Sequence, residues 1–314
     1  MSQTADGVST FVAGRTFGRA KVEPADRLGS WRLIAPVAQG TMAEIFRAAS
    51  ATAPDDQVGL YAVKRLCARW HEMPQAVLHF QREALIGRSL CHSHLIAVLA
   101  AQVERPPYYL VMPWLDGMSL GDRIREPERV PLAVALWWMR QTAEALAALA
   151  EAGWMHADVK PDNLMVSPRG HVTLLDLGLA RRMDETGSIA ERLVVGTPAY
   201  MAPETLTSAL GSSLQSDIYS LGAVLFELLT GHRPFETEEL GQLVRLHRQG
   251  PPPCVRRVAA EVPADVARLV DRMLAREPLR RPSSPREVAD ELARLEIHYL
   301  ADRFTPADVE IGVL

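Results

Sequence analysis

Residues 156–166 read HADVKPDNLMV, and residues 171–178 read HVTLLDLG. The first stretch places His156, Asp158, Lys160 and Asn163 in a loop. The second, after a Ser-Pro-Arg-Gly turn, completes a β-hairpin and puts Asp176 at the end of a strand, 13 residues after Asn163. Upstream of this loop, residues 131–153 carry apolar side chains at 132, 136, 139, 143, 146 and 149. That three-and-four spacing is one face of a helix. Pro131 near its start and Gly153 past its end match the usual asymmetry of helix ends. Downstream, residues 217–229, 236–249, 264–275 and 285–297 read as further helices.

Toward the N-terminus the pattern changes. WRLIAPVAQGTMAEIFRAAS, from Trp31, reads as two strands around a turn at Gln39-Gly40, and VGLYAVKRL as a third. Residues 75–90 read as a helix that offers Val77, Leu78, Phe80, Ala84, Leu85 and Leu90 to a core. LIAVLAAQVE and PPYYLVMPWL read as two more strands. A strand-rich segment of about 80 residues therefore precedes a helix-rich one of about 180, which predicts an α+β protein in two lobes.

Composition narrows the function classes. The chain has 314 residues, 48% hydrophobic and 23% charged, which suits a folded globular protein. A net charge of −4 gives no support to nucleic acid or an anionic membrane as a partner. Cys67, Cys91 and Cys254 form no CxxC pattern, so the expectation is neither a disulfide framework nor zinc, and a cytoplasmic location. The N-terminal residues lack the apolar run of a signal peptide. The most apolar stretches are broken by Arg140 and Glu227 well short of a membrane span. Only Lys21, Lys64 and Lys160 are lysines among 34 Lys and Arg residues. Lysine is a compact, movable point charge that arginine does not replace, so each survivor invites a reason.

The motifs together resemble the eukaryotic-type (Hanks-type) serine/threonine protein kinases found in many bacteria. Carrying the resemblance are YAVK with Lys64, Glu83, the 156–163 loop, DLG at 176–178, GTPAYMAPE at 196–204, SDIYSLG at 216–222, and Arg281. It runs from about Trp31 to about Leu295, in the family's order. It implies a bilobal kinase-like fold: a small β-rich N-lobe with one main helix, and a larger helical C-lobe. The expected layout is a flexible leader at 1–29, N-lobe at 30–112, hinge at 113–117, C-lobe at 118–297 and tail at 298–314.

The resemblance also assigns roles. Lys64 reaches the α- and β-phosphates of ATP, and Glu83, 19 residues on, pairs with it. Asn163 and Asp176 hold Mg²⁺, or Mn²⁺ in its place. Asp158 handles the proton of the attacking hydroxyl, and Lys160 neutralises the γ-phosphate. Val37, Gly40, Ile45, Ala62, Met112, Pro113, Leu115 and Met165 complete the nucleotide site, with Met112 as gatekeeper. Thr197 lines the acceptor site, Glu204 pairs with Arg281, and Asp217 anchors the catalytic-loop backbone. The implied reaction is transfer of the γ-phosphate of ATP to Ser or Thr of protein substrates, with autophosphorylation. A regulatory protein or a second copy of the chain is the expected further partner.

Four departures stand against that pattern. Residues 38–43 read AQGTMA, so only Gly40 remains of GxGxxG. Ala157 replaces the catalytic-loop arginine that grips a phosphorylated activation loop, so dependence on Thr186 or Ser188 phosphorylation is expected to be slight. Leu177 replaces phenylalanine, an apolar swap that preserves packing. Gly87 stands where the family buries a large side chain, which predicts a hole behind the helix and a helix in need of support. The competing reading is a pseudokinase that serves as a nucleotide-binding or scaffold module.

Overall fold

The computed structural model describes residues 27–54, 58–185, 198–207, 213–237 and 239–299. Thr186, Ser188, Thr197, Leu300 and Phe304 lie outside them.

The N-terminal part is an antiparallel sheet of six strands in the order β1-β2-β3-β4-β6-β5. These are β1 (Arg27–Leu28), β2 (Trp31–Gln39), β3 (Ala43–Ser50), β4 (Tyr61–Leu66), β5 (Ala100–Gln102) and β6 (Tyr109–Pro113). The sheet therefore begins inside the segment expected as a leader, because Arg27 and Leu28 pair with Arg32 and Trp31. One face of the sheet buries Leu28, Leu33, Ala48, Val63 and Val111 as a small separate cluster. The other receives α1 (Pro74–Ser89), whose Ala76, Phe80, Glu83, Ala84, Ile86 and Gly87 are buried. Leu78 and Leu85, expected in that core, are exposed instead. The buried stripe is set by where β4 and the 95–98 segment lie, and it takes Glu83 and Gly87 rather than the two leucines.

From β7 (Met118–Ser119) onward, helices dominate. They are α2 (Leu120–Arg125), α3 (Leu132–Glu151), α4 (Pro203–Thr207), α5 (Leu214–Thr230), α6 (Leu240–Gln249), α7 (Val255–Val258), α8 (Ala264–Met273) and α9 (Pro285–His298). The apolar stripe predicted on α3 is buried from 136 to 149, with Leu132 half-buried at the start. Its other side is buried too, at Ala133, Thr142 and Ala147, since α5 and α9 pack around it. Gly153 ends the run with φ +81, a conformation open to glycine. α5 starts with a reciprocal cap between Ser213 and Ser216 and ends at Gly231 with φ +76.

Short strands hold the loop between the two parts. β9 (Leu164–Val166) pairs with both β10 (Val172–Leu174) and β7, and β8 (Trp154–Met155) pairs with β11 (Arg181–Arg182). The predicted hairpin turn closes through the Gly170 N–H, which donates to the Ser167 carbonyl at 2.8 Å. Tyr299 at the tail's start donates its hydroxyl to Asp265 at the head of α8, at 2.9 Å. The result is the α+β, two-part architecture expected from the sequence. Among the described residues no helix is long and apolar enough to cross a membrane.

Candidate active site

A cavity of about 430 Å³ opens between the sheet and the helical part. Its upper wall is apolar, with Ile45, Ala62, Met112, Leu115 and Met165. Its lower end is charged, with Lys64, Glu83, Asp158, Lys160, Asn163 and Asp176. Gly40 and Pro113 also line it. Val37 does not. The β2–β3 register slips between Pro36 and Ala38, a bulge that leaves Val37 without a partner. Ala38, opposite Ile45, takes the cavity position instead. Met42, Phe80, Ile96 and Leu175 line the cavity as well and were missed in the sequence.

Lys64 sits on β4, and its Nζ reaches Glu83 Oε2 at 2.7 Å and Asp176 Oδ1 at 2.9 Å. Burial alone would lower the Lys64 ammonium, but the two carboxylates outweigh it and raise it. Burial pushes Glu83 up to about 7, against the pull of Lys64. Asp176 resists burial because Lys64 and Lys160 hold it down to about 2, so it stays anionic. Asp176 adopts φ +60, and Ala157 φ +63. Non-glycine residues rarely enter this region, and when they do they concentrate at functional sites.

The strained turn at Ala157 is held by Asp217 on α5. Its carboxylate accepts the His156 N–H at 2.7 Å and the Ala157 N–H at 2.8 Å. The buried His156 ring bonds the Leu175 carbonyl at 2.9 Å, tying the loop to the end of the hairpin. These contacts aim Asp158, whose Oδ2 receives Lys160 Nζ at 2.6 Å and Asn163 Nδ2 at 2.8 Å. Burial raises the Asp158 carboxyl, and Lys160 opposes that rise. Asn163 spends its N–H₂ group on Asp158, which leaves the amide oxygen as its ligand atom.

Among the described residues no group of three or more His, Cys, Asp or Glu side chains could hold a metal by itself. Asn163 with Asp176 suits Mg²⁺, which takes one or two protein ligands and completes its shell with phosphates and water. The apolar slot, the ammonium groups and this donor pair fit a nucleoside triphosphate with its cation. A Cβ on Gly40 would meet only Ala43 O, at 3.5 Å. Among the described residues nothing else crowds that position, and Gly40 lines the cavity.

The hole expected behind Gly87 is filled. A Cβ there would lie 2.6 Å from Val98 Cγ2, and the Val98 N–H donates to the Gly87 carbonyl at 2.8 Å. The glycine admits Val98 to the helix backbone and fixes α1 rather than loosening it. Alanine at 87 gains about 1 kcal/mol of helix propensity, but overpacking costs about 1–3 kcal/mol, so sterics win. Gly87→Ala is expected to lower both the unfolding midpoint and the catalytic rate, through displacement of Glu83. Val98→Ala in the same chain is expected to recover part of both. Equal rates for wild type and Gly87→Ala would count against this contact.

Farther out, Arg281 forks onto Glu204 at 2.6 and 2.8 Å, with its side chain fully buried. The pairs predicted for Lys64, Asp217 and Arg281 are thus all formed.

Residues 31–293 match the family described as the protein kinase domain. The chain belongs to the protein kinase family. Bacterial relatives are similar over most of this kinase chain. PknA, a serine/threonine-protein kinase of Mycobacterium tuberculosis, is 32% identical over 273 residues, 84% of this chain and 61% of its own. The serine/threonine-protein kinase pkn3 of Myxococcus xanthus is 33% identical over 279 residues, 85% of this chain and 50% of its own. The probable serine/threonine-protein kinase pknA2 of Bifidobacterium longum is 30% identical over 278 residues, 87% of this chain and 36% of its own. This kinase chain therefore spans between about a third and three fifths of the length of those relatives.

Proposed function

We propose that this protein is a serine/threonine protein kinase that transfers the γ-phosphate of ATP to Ser or Thr hydroxyls of proteins, its own chain included. One observation carries the reading: Lys64–Glu83, Asp158–Lys160 and the Asn163/Asp176 pair converge on one cavity beneath an apolar slot. The slot takes the adenine, with Met112 as gatekeeper and the backbone of Pro113 and Leu115 at its edge. Lys64 holds the α- and β-phosphates. Asn163 and Asp176 hold Mg²⁺, whose charge offsets that of the phosphates. The acceptor oxygen bonds to the γ-phosphorus as the bond to the β–γ bridging oxygen breaks. ADP leaves with that electron pair, and Asp158 takes the hydroxyl proton. Lys160 offsets charge on the transferred group.

The layout that goes with this reading is a small lobe at 30–112, a hinge at 113–117 and a large lobe at 118–297. The three cysteines are free thiols, which supports a reducing, cytoplasmic setting. A regulatory protein or a second copy of the chain remains part of the proposal.

Phosphorylation of the activation segment has little purchase here, because Ala157 offers no guanidinium. A carboxylate already joins that segment to α1, where Arg82 Nη2 meets Glu185 Oε1 at 2.9 Å. The Thr186→Ala/Ser188→Ala double variant is expected to keep a rate of the same order as wild type. Abolished activity would refute this independence.

The decisive assay is purified protein with labelled ATP, Mg²⁺ and a basic protein substrate, followed by phosphoamino-acid analysis. Label on Ser or Thr is the expected result. Nucleotide binding without transfer would establish the pseudokinase reading instead.

A further inference from the structure

The turn at 40–42 has one glycine, Gly40, and is flanked by alanines at 38 and 43, where the expected glycine-rich pattern would have two more. Ala38 and Ala43 are both buried, one at the end of β2 and one at the start of β3. An alanine restricts the backbone where glycine would not. The turn is closed across its base, where the Gly40 N–H donates to the Ala43 carbonyl at 2.8 Å. Its tip is not free either. The Thr41 carbonyl accepts both the Trp70 indole N–H at 3.0 Å and Arg69 Nη2 at 2.8 Å. The next carbonyl, of Met42, accepts the Cys67 N–H at 2.9 Å.

All three donors come from residues 67–70, between β4 and α1. That segment is itself rigidly held. It forms a 3-10 turn, with the Trp70 N–H on the Cys67 carbonyl at 2.9 Å. His71 follows, its Nε2 bonding the Leu66 carbonyl at 3.1 Å and its ring meeting Tyr108 edge-on at 5.3 Å. The Trp70 carbonyl then accepts the Met73 N–H at the entry to α1. Thr41 and Met42 line the nucleotide cavity, so the bonded carbonyls belong to the turn that covers it.

We propose that residues 67–70 form a latch that holds the turn at 40–42 down over the cavity. Trp70, acting through the Thr41 carbonyl, is its main positioning residue. The latch replaces the adaptability of a glycine-rich turn with a fixed closed geometry, and links that turn to the head of the helix that carries Glu83. This inference rests on the nucleotide reading of the cavity given above.

Trp70→Phe keeps an aromatic ring and removes the only N–H of the side chain. Isothermal titration of the full chain with Mg·ATP and, separately, with adenosine tests the latch. The variant is expected to bind Mg·ATP about three- to tenfold more weakly, the worth of one hydrogen bond. KM for ATP should rise in step while kcat holds, and adenosine affinity should not change. Equal loss for both ligands would mean simple damage to the cavity and would overturn the proposal. So would unchanged Mg·ATP affinity with an unaltered unfolding midpoint. Arg69→Met, which removes the second donor from an exposed position, provides a variant that does not disturb packing. It is expected to show a smaller loss, about twofold, again confined to Mg·ATP. If wild type itself failed to bind Mg·ATP, the nucleotide reading would fall and the latch proposal with it. Binding by wild type with indifferent variants would overturn the latch alone.

Discussion

Asp158→Asn is expected to lower the rate of phosphoryl transfer by a factor of about 10²–10⁴, the usual contribution of a positioned proton acceptor. The substitution keeps the size of the side chain and an oxygen for Lys160 and Asn163, which both bond Oδ2 in the native chain. Lys160 keeps a hydrogen bond but loses its charged partner, so a lower unfolding midpoint is expected alongside. Mg·ATP affinity should change little, and the loss of rate should fall on kcat. A variant that retains more than about a tenth of the wild-type rate would remove Asp158 from this role. The pH profile provides a second reading of the same group. Burial holds the Asp158 carboxyl above its ordinary value, with Lys160 pulling the other way. A base works only when ionised, so activity falls as pH drops through its raised pKa. The acid limb of kcat/KM should lie above the ordinary aspartate value near 3.9. Lys160→Met, by removing the opposing charge, should move that limb higher still.

The largest effect on stability is expected from Arg281→Met. The guanidinium makes five hydrogen bonds: two to Glu204 and three to the carbonyls of Gln215, Ala275 and Arg276. It also lies 4.9 Å above the Tyr219 ring. Removal leaves a mostly buried Glu204 charge and three carbonyls without that donor. Breaking one side of a buried pair costs about 3–5 kcal/mol, or roughly 10 °C in the unfolding midpoint for a domain of this size. Arg281→Lys keeps the charge but not the fork, and should fall between. Acid should narrow the difference. Burial works to raise the Glu204 carboxyl, but the hydrogen bonds and charge of Arg281 hold it below the usual carboxylate range. The stability this contributes is full above the unfolded pKa and is lost as pH falls through the depressed one. Thermal unfolding of the two chains across pH measures this directly. A constant gap down to strongly acid pH would contradict it.

The parts of the site legible in the sequence were those fixed by local spacing. The loop at 156–163 and the hairpin strand that ends at Asp176 are close in the chain, so their residue types sufficed. Lys64–Glu83 and Glu204–Arg281 are distant pairs, and only the resemblance to a family could connect them. What stayed hidden depends on backbone details that no spacing encodes. The bulge at Val37 turned one predicted contact away and brought Ala38 in. The filled space at Gly87 came from Val98 in a different segment, so a glycine that read as a defect is a close approach. Leu78 and Leu85 followed helical periodicity faithfully and still lie exposed, because the neighbours of α1 meet a different stripe of the helix.

The connection between the two parts can also be read mechanically. On one side, the Trp114 N–H is bonded to the Leu60 carbonyl at 2.9 Å, and Arg47 lies 4.5 Å from its ring. Trp114 thus moves with the sheet. On the other, a Cβ on Gly117 would lie 2.1 Å from the Val166 carbonyl oxygen, and Met118 pairs with Val166. Gly117 thus moves with the helical part. Only Leu115 and Asp116 remain between them as a torsional joint. The Trp114 indole N–H reaches over Leu115 to Asp116, inside the joint, at 2.9 Å, like a spring on a pivot. Leu115 also lines the cavity. A second tie runs through residues 94–96, which bond to Leu174 on β10. Leu115 is thus the point of this chain connection that meets the wall of the cavity, where a molecule seated against it would load the joint directly.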